Sequence, residues 1–225
     1  MTVPSMARPT PSQPTPQQVV EAGYDVVAER YLAWSALRPS PARLRALAIA
    51  DAAIPAGADV LELGCGAGRP MTATLAAGRH LTGVDISHAQ LDLARAAVPG
   101  ATFVEADLTT LERPDASVDA VVAFYVLTHV PRGAHAGLFA RIRRWLRPGG
   151  VFVASLGVED DPGGVEPDWL GVDMYFSHFS APRNRRLVEA AGFTIEWSEI
   201  LTEPEDRFDA RFLWVLARAP GGPPA

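Results

Sequence analysis

The chain has 225 residues, 48% of them hydrophobic, which on length is most simply one domain with a substantial core. Its 20 basic residues are all arginine and are outnumbered by 26 acidic ones; a net charge of −6 argues against a nucleic-acid-binding surface, which is usually basic. The single cysteine, Cys65, excludes an internal disulfide, and no run is apolar enough to span a membrane or serve as a secretory leader, so a cytoplasmic setting is expected.

Residues 1–16 carry Pro4, Pro9, Pro11, Pro14 and Pro16 among Ser, Thr and Gln and are expected to be a disordered tail. Helical periodicity follows over Gln17–Trp34 and Pro41–Ile54. Strands are then expected at 58–63, 80–85, 101–106, 118–124 and 150–156, with helices at 69–77, 87–97 and 133–146. This alternation predicts a doubly wound α/β sheet covered on both faces. Residues 157–180 form a long acidic connection containing Trp169, Met174, Tyr175, Phe176 and Phe179, of the length used for lids and binding loops. A helix at Pro182–Ala191, closed by Gly192, precedes two last strands near 193–201 and 210–217. Residues 219–225 are a second flexible tail, leaving 17–218 as the domain.

The most informative stretch is Val60-Leu61-Glu62-Leu63-Gly64-Cys65-Gly66-Ala67-Gly68. An apolar strand runs into three alternating glycines, which permit a tight turn and close approach of backbone to a ligand. A dinucleotide fingerprint needs G-x-G-x-x-G, but Arg69 stands where its last glycine belongs. Pro70 is suited to a helix start. Glu62, two residues before the first glycine, is a natural partner for an ammonium group.

With this acidic-x-G-x-G-x-G motif the chain resembles the class I S-adenosylmethionine-dependent methyltransferases. Further segments in the right order extend the likeness over roughly residues 20–218: Gly83-Val84-Asp85-Ile86-Ser87, Glu105-Ala106-Asp107-Leu108, Val122-Ala123-Phe124-Tyr125, Leu146-Arg147-Pro148-Gly149-Gly150 and the ending Arg211-Phe212-Leu213-Trp214-Val215. The resemblance implies a Rossmann-like sheet of seven strands, mostly parallel with an antiparallel last strand, plus N-terminal helices. It implies S-adenosylmethionine as cofactor, lying across the strand tips. The expected cofactor contacts are Tyr24, Tyr31, Glu62, Leu63, Gly64, Cys65, Gly66, Gly68, Asp85, Ile86, Gln90, Asp107, Leu108 and Phe124. Asp85, 17 residues past the last glycine, is expected to take the ribose hydroxyls; Asp107 or its neighbouring backbone is expected to read the adenine. Ser87 is a plausible N-cap for the helix after Asp85.

Methyl transfer from a sulfonium is chiefly a positioning problem. On the acceptor side Trp34, Thr128, Met174, Tyr175 and His178 are expected to contact substrate. His129 is the candidate base, with Tyr125 beside it; alternatively His129 only orients the acceptor. The acidic run 159–168 is read as solvated, and Arg69 as a further candidate for the cofactor carboxylate. No residues have metal-ligand spacing, so no metal is expected. The leading reading is methyl transfer to an O, N or C atom of a small organic molecule. The alternatives are a cofactor-holding regulatory module, a protein methyltransferase and a nicotinamide-dependent reductase. Neither nucleic acid nor membrane is an expected partner, and a homodimer is left open.

Overall fold

The computed structural model describes residues 13–38, 40–204 and 209–221. Most of both expected tails lies outside them. The first helix, α1 (Pro16–Ala36), begins inside the tail predicted at 1–16 because Thr15 and Gln18 form a reciprocal capping box ahead of Pro16. Helix α2 (Pro41–Ala53) is capped by Ser40.

Seven strands form one sheet: β1 (Asp59–Leu63), β2 (His80–Asp85), β3 (Thr102–Glu105), β4 (Val118–Ala123), β5 (Leu146–Leu156), β8 (Thr194–Pro204) and β9 (Asp209–Arg218). Their order is β3-β2-β1-β4-β5-β9-β8, and β9 runs antiparallel to both its neighbours. The crossovers hold α3 (Met71–Leu75), α4 (His88–Ala97), α5 (His135–Trp145) and α6 (Ala181–Ala190). Alternate residues of each strand feed two cores. Leu61, Leu63, Val121 and Phe152 pack with Leu138, Phe139 and Ile142 of α5 and Val188 of α6. Val60, Ala120, Val122 and Val153 pack with Ala46, Leu47 and Ala50 of α2 and Leu75 of α3.

The central register is level. Leu63 of β1 pairs with Val84 of β2 and with Ala123 of β4, so Gly64, Asp85 and Phe124 all emerge at the same edge. Ligands of open α/β sheets gather at such carboxyl ends.

One expectation is corrected. The segment 157–180 is a two-stranded hairpin outside the main sheet, β6 (Asp161–Trp169) paired with β7 (Val172–His178). Its turn, Leu170-Gly171, has φ of 49° and 85°, the positive pair that suits the twist of a tight hairpin. Prolines at 162 and 167 are tolerated because β6 has a partner on one side alone. The hairpin packs against α1: Met174 is wholly buried, and a Cβ added to Gly23 of α1 would stand 2.8 Å from its terminal carbon.

Candidate active site

The turn after β1 hangs on β2. Gly64 and Cys65 both donate their backbone N–H to the Val84 carbonyl, at 2.7 and 3.1 Å. Gly64 has φ of +68°, and a Cβ there would collide with Val126 at 2.4 Å, so only glycine fits. The Gly66 N–H donates to Asp85 Oδ2 at 2.8 Å, and Ser87 N–H donates to Oδ1 at 3.0 Å. These two bonds fix the Asp85 carboxylate at the tip of β2. Burial raises its pKa, opposed by the backbone donors. Ser87 also caps α4 and donates its hydroxyl to Asp25 at 2.6 Å, which fastens α1 across the cleft.

A cleft along these tips is lined by Gly64, Gly66, Asp85, Ile86, Gln90, Asp107, Leu108 and Phe124, with Tyr24 and Tyr31 of α1 above. Every one was expected from the sequence; Gln17, Val20 and Thr109 join them unforeseen. Asp107 accepts the backbone N–H and the hydroxyl of Thr109, both at 2.7 Å, which shapes the turn after β3. A neighbouring cavity holds Glu62, Cys65, Arg43 and Arg69, sharing Tyr31, Gly64, Gly66, Phe124 and Tyr125 with the first. Leu63 and Gly68 line neither: Leu63 is wholly buried in the core, and Gly68 backs onto Ala94 of α4.

Two side chains in this region carry atoms left unpaired among the described residues, although Thr72 hydrogen-bonds the Glu62 carboxyl. Glu62 is 3% exposed with Oε2 unpaired, and Gln90 is 1% exposed with both amide atoms unpaired. Burial pushes the Glu62 carboxyl up to about 8. Unpaired buried polar groups are costly, and in a cleft they mark where a ligand supplies the missing bonds.

A third cavity, of about 690 Å³, opens between α1, the hairpin and the ends of β8 and β9. Tyr24, Tyr31, Tyr125 and His129 line both it and the first cleft, so they stand at the junction. Trp34, Thr128 and His178, the expected substrate contacts, line it. Met174 does not, being buried against α1, and Tyr175 offers only its backbone carbonyl to this region. Trp169, Phe176, Arg43, Glu203 and Phe212 line it and were not among the expected contacts. Trp169 and Phe176 left a trace in the sequence as aromatics within an acidic, polar segment.

His129 lies on a 3-10 turn (Leu127–His129) held by His135, whose Nε2–H is shared between the Leu127 and Val130 carbonyls at 3.0 Å each. His129 Nδ1 is 2.9 Å from the Tyr175 carbonyl, which can only accept, so Nδ1 carries the proton. Nε2 is then the acceptor for the Tyr24 hydroxyl at 2.9 Å. Burial lowers the His129 pKa to about 4, and burial also raises that of Tyr24. Tyr125 has φ of +59°, and its N–H donates to Ser155 Oγ at 2.7 Å. Its hydroxyl donates to Glu203 and receives Arg43 Nε at 3.4 Å.

Residues 60–150 match the model of a methyltransferase domain. A probable S-adenosylmethionine-dependent methyltransferase of Mycolicibacterium smegmatis is 36% identical over 143 residues, 63% of this chain and 54% of that protein. Residues 60–150 are thus a methyltransferase domain, similar to those of S-adenosylmethionine-dependent methyltransferases. A trans-aconitate 2-methyltransferase of Delftia acidovorans is 29% identical, aligned over 69% of this chain and 67% of that one. The [4+2]-cyclase SpnF shares the fold with a TM-score of 0.73 at 21% identity, covering 94% of this chain and 98% of its own. The chain spans about half the length, or less, of most of the curated relatives it matches.

The site suits the cofactor of these methyltransferases. The unpaired Glu62 oxygen fits an ammonium, Arg43 and Arg69 in the same cavity suit a carboxylate, and Asp85 and the unpaired Gln90 amide suit a nucleoside. Among the described residues no group of three or more His, Cys, Asp or Glu could hold a metal ion, and no helix is long and apolar enough to cross a membrane.

Proposed function

We propose that the chain transfers a methyl group from S-adenosylmethionine to an oxygen, nitrogen or carbon atom of a small organic molecule seated in the 690 Å³ cavity. The observation that carries this reading is the junction. The hydrogen-bonded Tyr24–His129 pair borders both the cofactor cleft and the large cavity. A volume near 700 Å³ lies within the usual range of about 300–1,000 Å³ for small-molecule sites.

Bound S-adenosylmethionine supplies a methyl carbon already activated by its sulfonium. The chain has to aim the acceptor, exclude water and receive a proton. Tyr24 is the polar group of the pair nearest to receive it. As the acceptor's proton passes to the Tyr24 oxygen, the Tyr24 proton moves to His129 Nε2, and the Tyr175 carbonyl keeps the ring turned for that role. His129 thus acts through Tyr24 rather than on the acceptor directly, because its one basic nitrogen is already bonded.

The name of the Delftia relative raises an acidic acceptor, trans-aconitate. Six carboxylates line the cavity here against three arginines among the described residues, and we do not carry that acceptor over.

The test is calorimetry with S-adenosylhomocysteine beside NAD, followed by transfer of labelled methyl to a panel of small acceptors. Binding of S-adenosylhomocysteine together with labelled product supports the proposal. Binding without transfer to any acceptor favours a cofactor-holding module, and tight NAD binding alone ends the methyltransferase reading.

A further inference from the structure

We infer that the acceptor is a planar aromatic molecule bearing a protonated amine, with its ring between the aromatic walls and its amine at the cavity mouth. This rests on the reading of the large cavity as the acceptor site.

The wall on the α1 and hairpin side is a continuous set of rings. Tyr24 and Tyr31 meet edge-on at 5.5 Å, Trp169 lies 5.6 and 5.8 Å from them, and Phe176 is 6.0 Å from Trp169. The wall on the sheet side is Tyr125 and Phe212, 5.1 Å apart. Rings on two sides favour a flat guest and are repaid by its burial. Thr128 also lines this cavity and is only 8% exposed, with no hydrogen bond to its hydroxyl among the described residues. That hydroxyl is left for a polar atom of the guest.

Charge then selects among flat molecules. Glu159, Glu166, Asp168 and Asp209 are exposed around the mouth, where Arg211 is the exposed cation among the described lining residues. Farther in, Arg38 lies 4.5 Å over the Trp34 ring, and Arg43 lies 5.1 Å over the Tyr125 ring beside Glu203. Tyrosine and tryptophan faces attract cations as well. The carboxylates and the ring faces therefore act in the same direction on an ammonium group and against a carboxylate.

The experiment is calorimetry on the full chain saturated with S-adenosylhomocysteine, using three probes. Tryptamine has ring and ammonium, indole-3-propionate has the ring with the opposite charge, and butylamine has the ammonium without a ring. Tryptamine is expected to bind about tenfold or more tightly than either of the others. The exposed double variant Glu166→Gln/Asp168→Asn should weaken tryptamine severalfold and leave indole-3-propionate unchanged or improved. Indole-3-propionate binding as well as tryptamine, butylamine matching tryptamine, or no tryptamine binding at millimolar concentration would each overturn the inference. So would a double variant that binds tryptamine as the parent does. The preceding S-adenosylhomocysteine titration separates the two levels: its failure removes the acceptor-site reading as well, whereas its success followed by no probe preference removes only this inference.

Discussion

At pH 7 the buried Glu62 carboxyl, pushed up to about 8, holds its proton. An ammonium group brought against its unpaired oxygen stabilises the charged form, so binding must expel that proton. Titration of S-adenosylhomocysteine at pH 7 in buffers of different ionisation enthalpy should show release of about one proton. Glu62→Gln should bind more weakly and release none; buffer-independent heats for the parent chain would refute the assignment. The same shift has a sign for stability. Raised above its ordinary 4.5, this carboxyl contributes stability that is full below pH 4.5 and lost as pH rises through about 8. His129 works the other way. Its pKa falls from 6.5 to about 4, so the neutral imidazole needed to take a proton persists far into acid. The acid limb of turnover is expected near pH 4, and a limb at 6.5 would show that a different group governs it. Tyr24→Phe keeps the ring among its aromatic neighbours and removes only the hydroxyl. It should lower turnover about a hundredfold, with a smaller effect on S-adenosylhomocysteine affinity. Asp85→Ala should cost about 1–3 kcal/mol of cofactor affinity by calorimetry, since it removes a buried acceptor and frees the Gly66 and Ser87 donors.

Between elements, the contact to watch is α1 against β7. Gly23 lets them meet: an added Cβ would sit 2.8 Å from the flexible Met174 tip but also 3.1 Å from the Asp173 carbonyl, which is backbone and cannot step aside. Gly23→Val should therefore push α1 off the hairpin, lowering the melting temperature by several degrees, as overpacking of about 1–3 kcal/mol does. Gly23→Ala should be milder, since it adds the same Cβ but neither of the γ-methyl groups of valine. The central strands β1, β2 and β4 were legible in the sequence because each holds a short apolar run beside Gly or Asp, whereas β5 and β8 run beyond their expected bounds, through residues 146–149 and 202–204. The strand tips that hold Glu62, Gly64 and Asp85 were legible for the same reason. The hairpin was not: Pro162, Gly163, Gly164 and Pro167 interrupt β6, and the pairing that makes it a strand comes from β7, a contact no local pattern announces. Nor did the sequence disclose that His129 is bonded at both nitrogens. Its partners lie 105 and 46 residues away, and only the closed fold brings them together.

Over the whole molecule, floor and roof differ in how deeply they are held. Strands β1, β4 and β5 sit inside the sheet with both cores against them. Helix α1 and the hairpin lie over the strand tips, joined to each other and to the floor by Asp25–Ser87, Arg30 to the Leu170 carbonyl, and Ser177 to the Val130 carbonyl. Hydrogen exchange should show S-adenosylhomocysteine slowing amides of α1 and of residues 170–177 while β4 and β5 are little changed.

The hairpin enters and leaves the sheet architecture between β5 and α6, and no strand of the main sheet pairs with it. Rewriting the segment between Leu156 and Ala181 would leave the pairing of the main sheet intact, yet it would replace the Tyr175 carbonyl that turns His129 and the surface on which α1 rests.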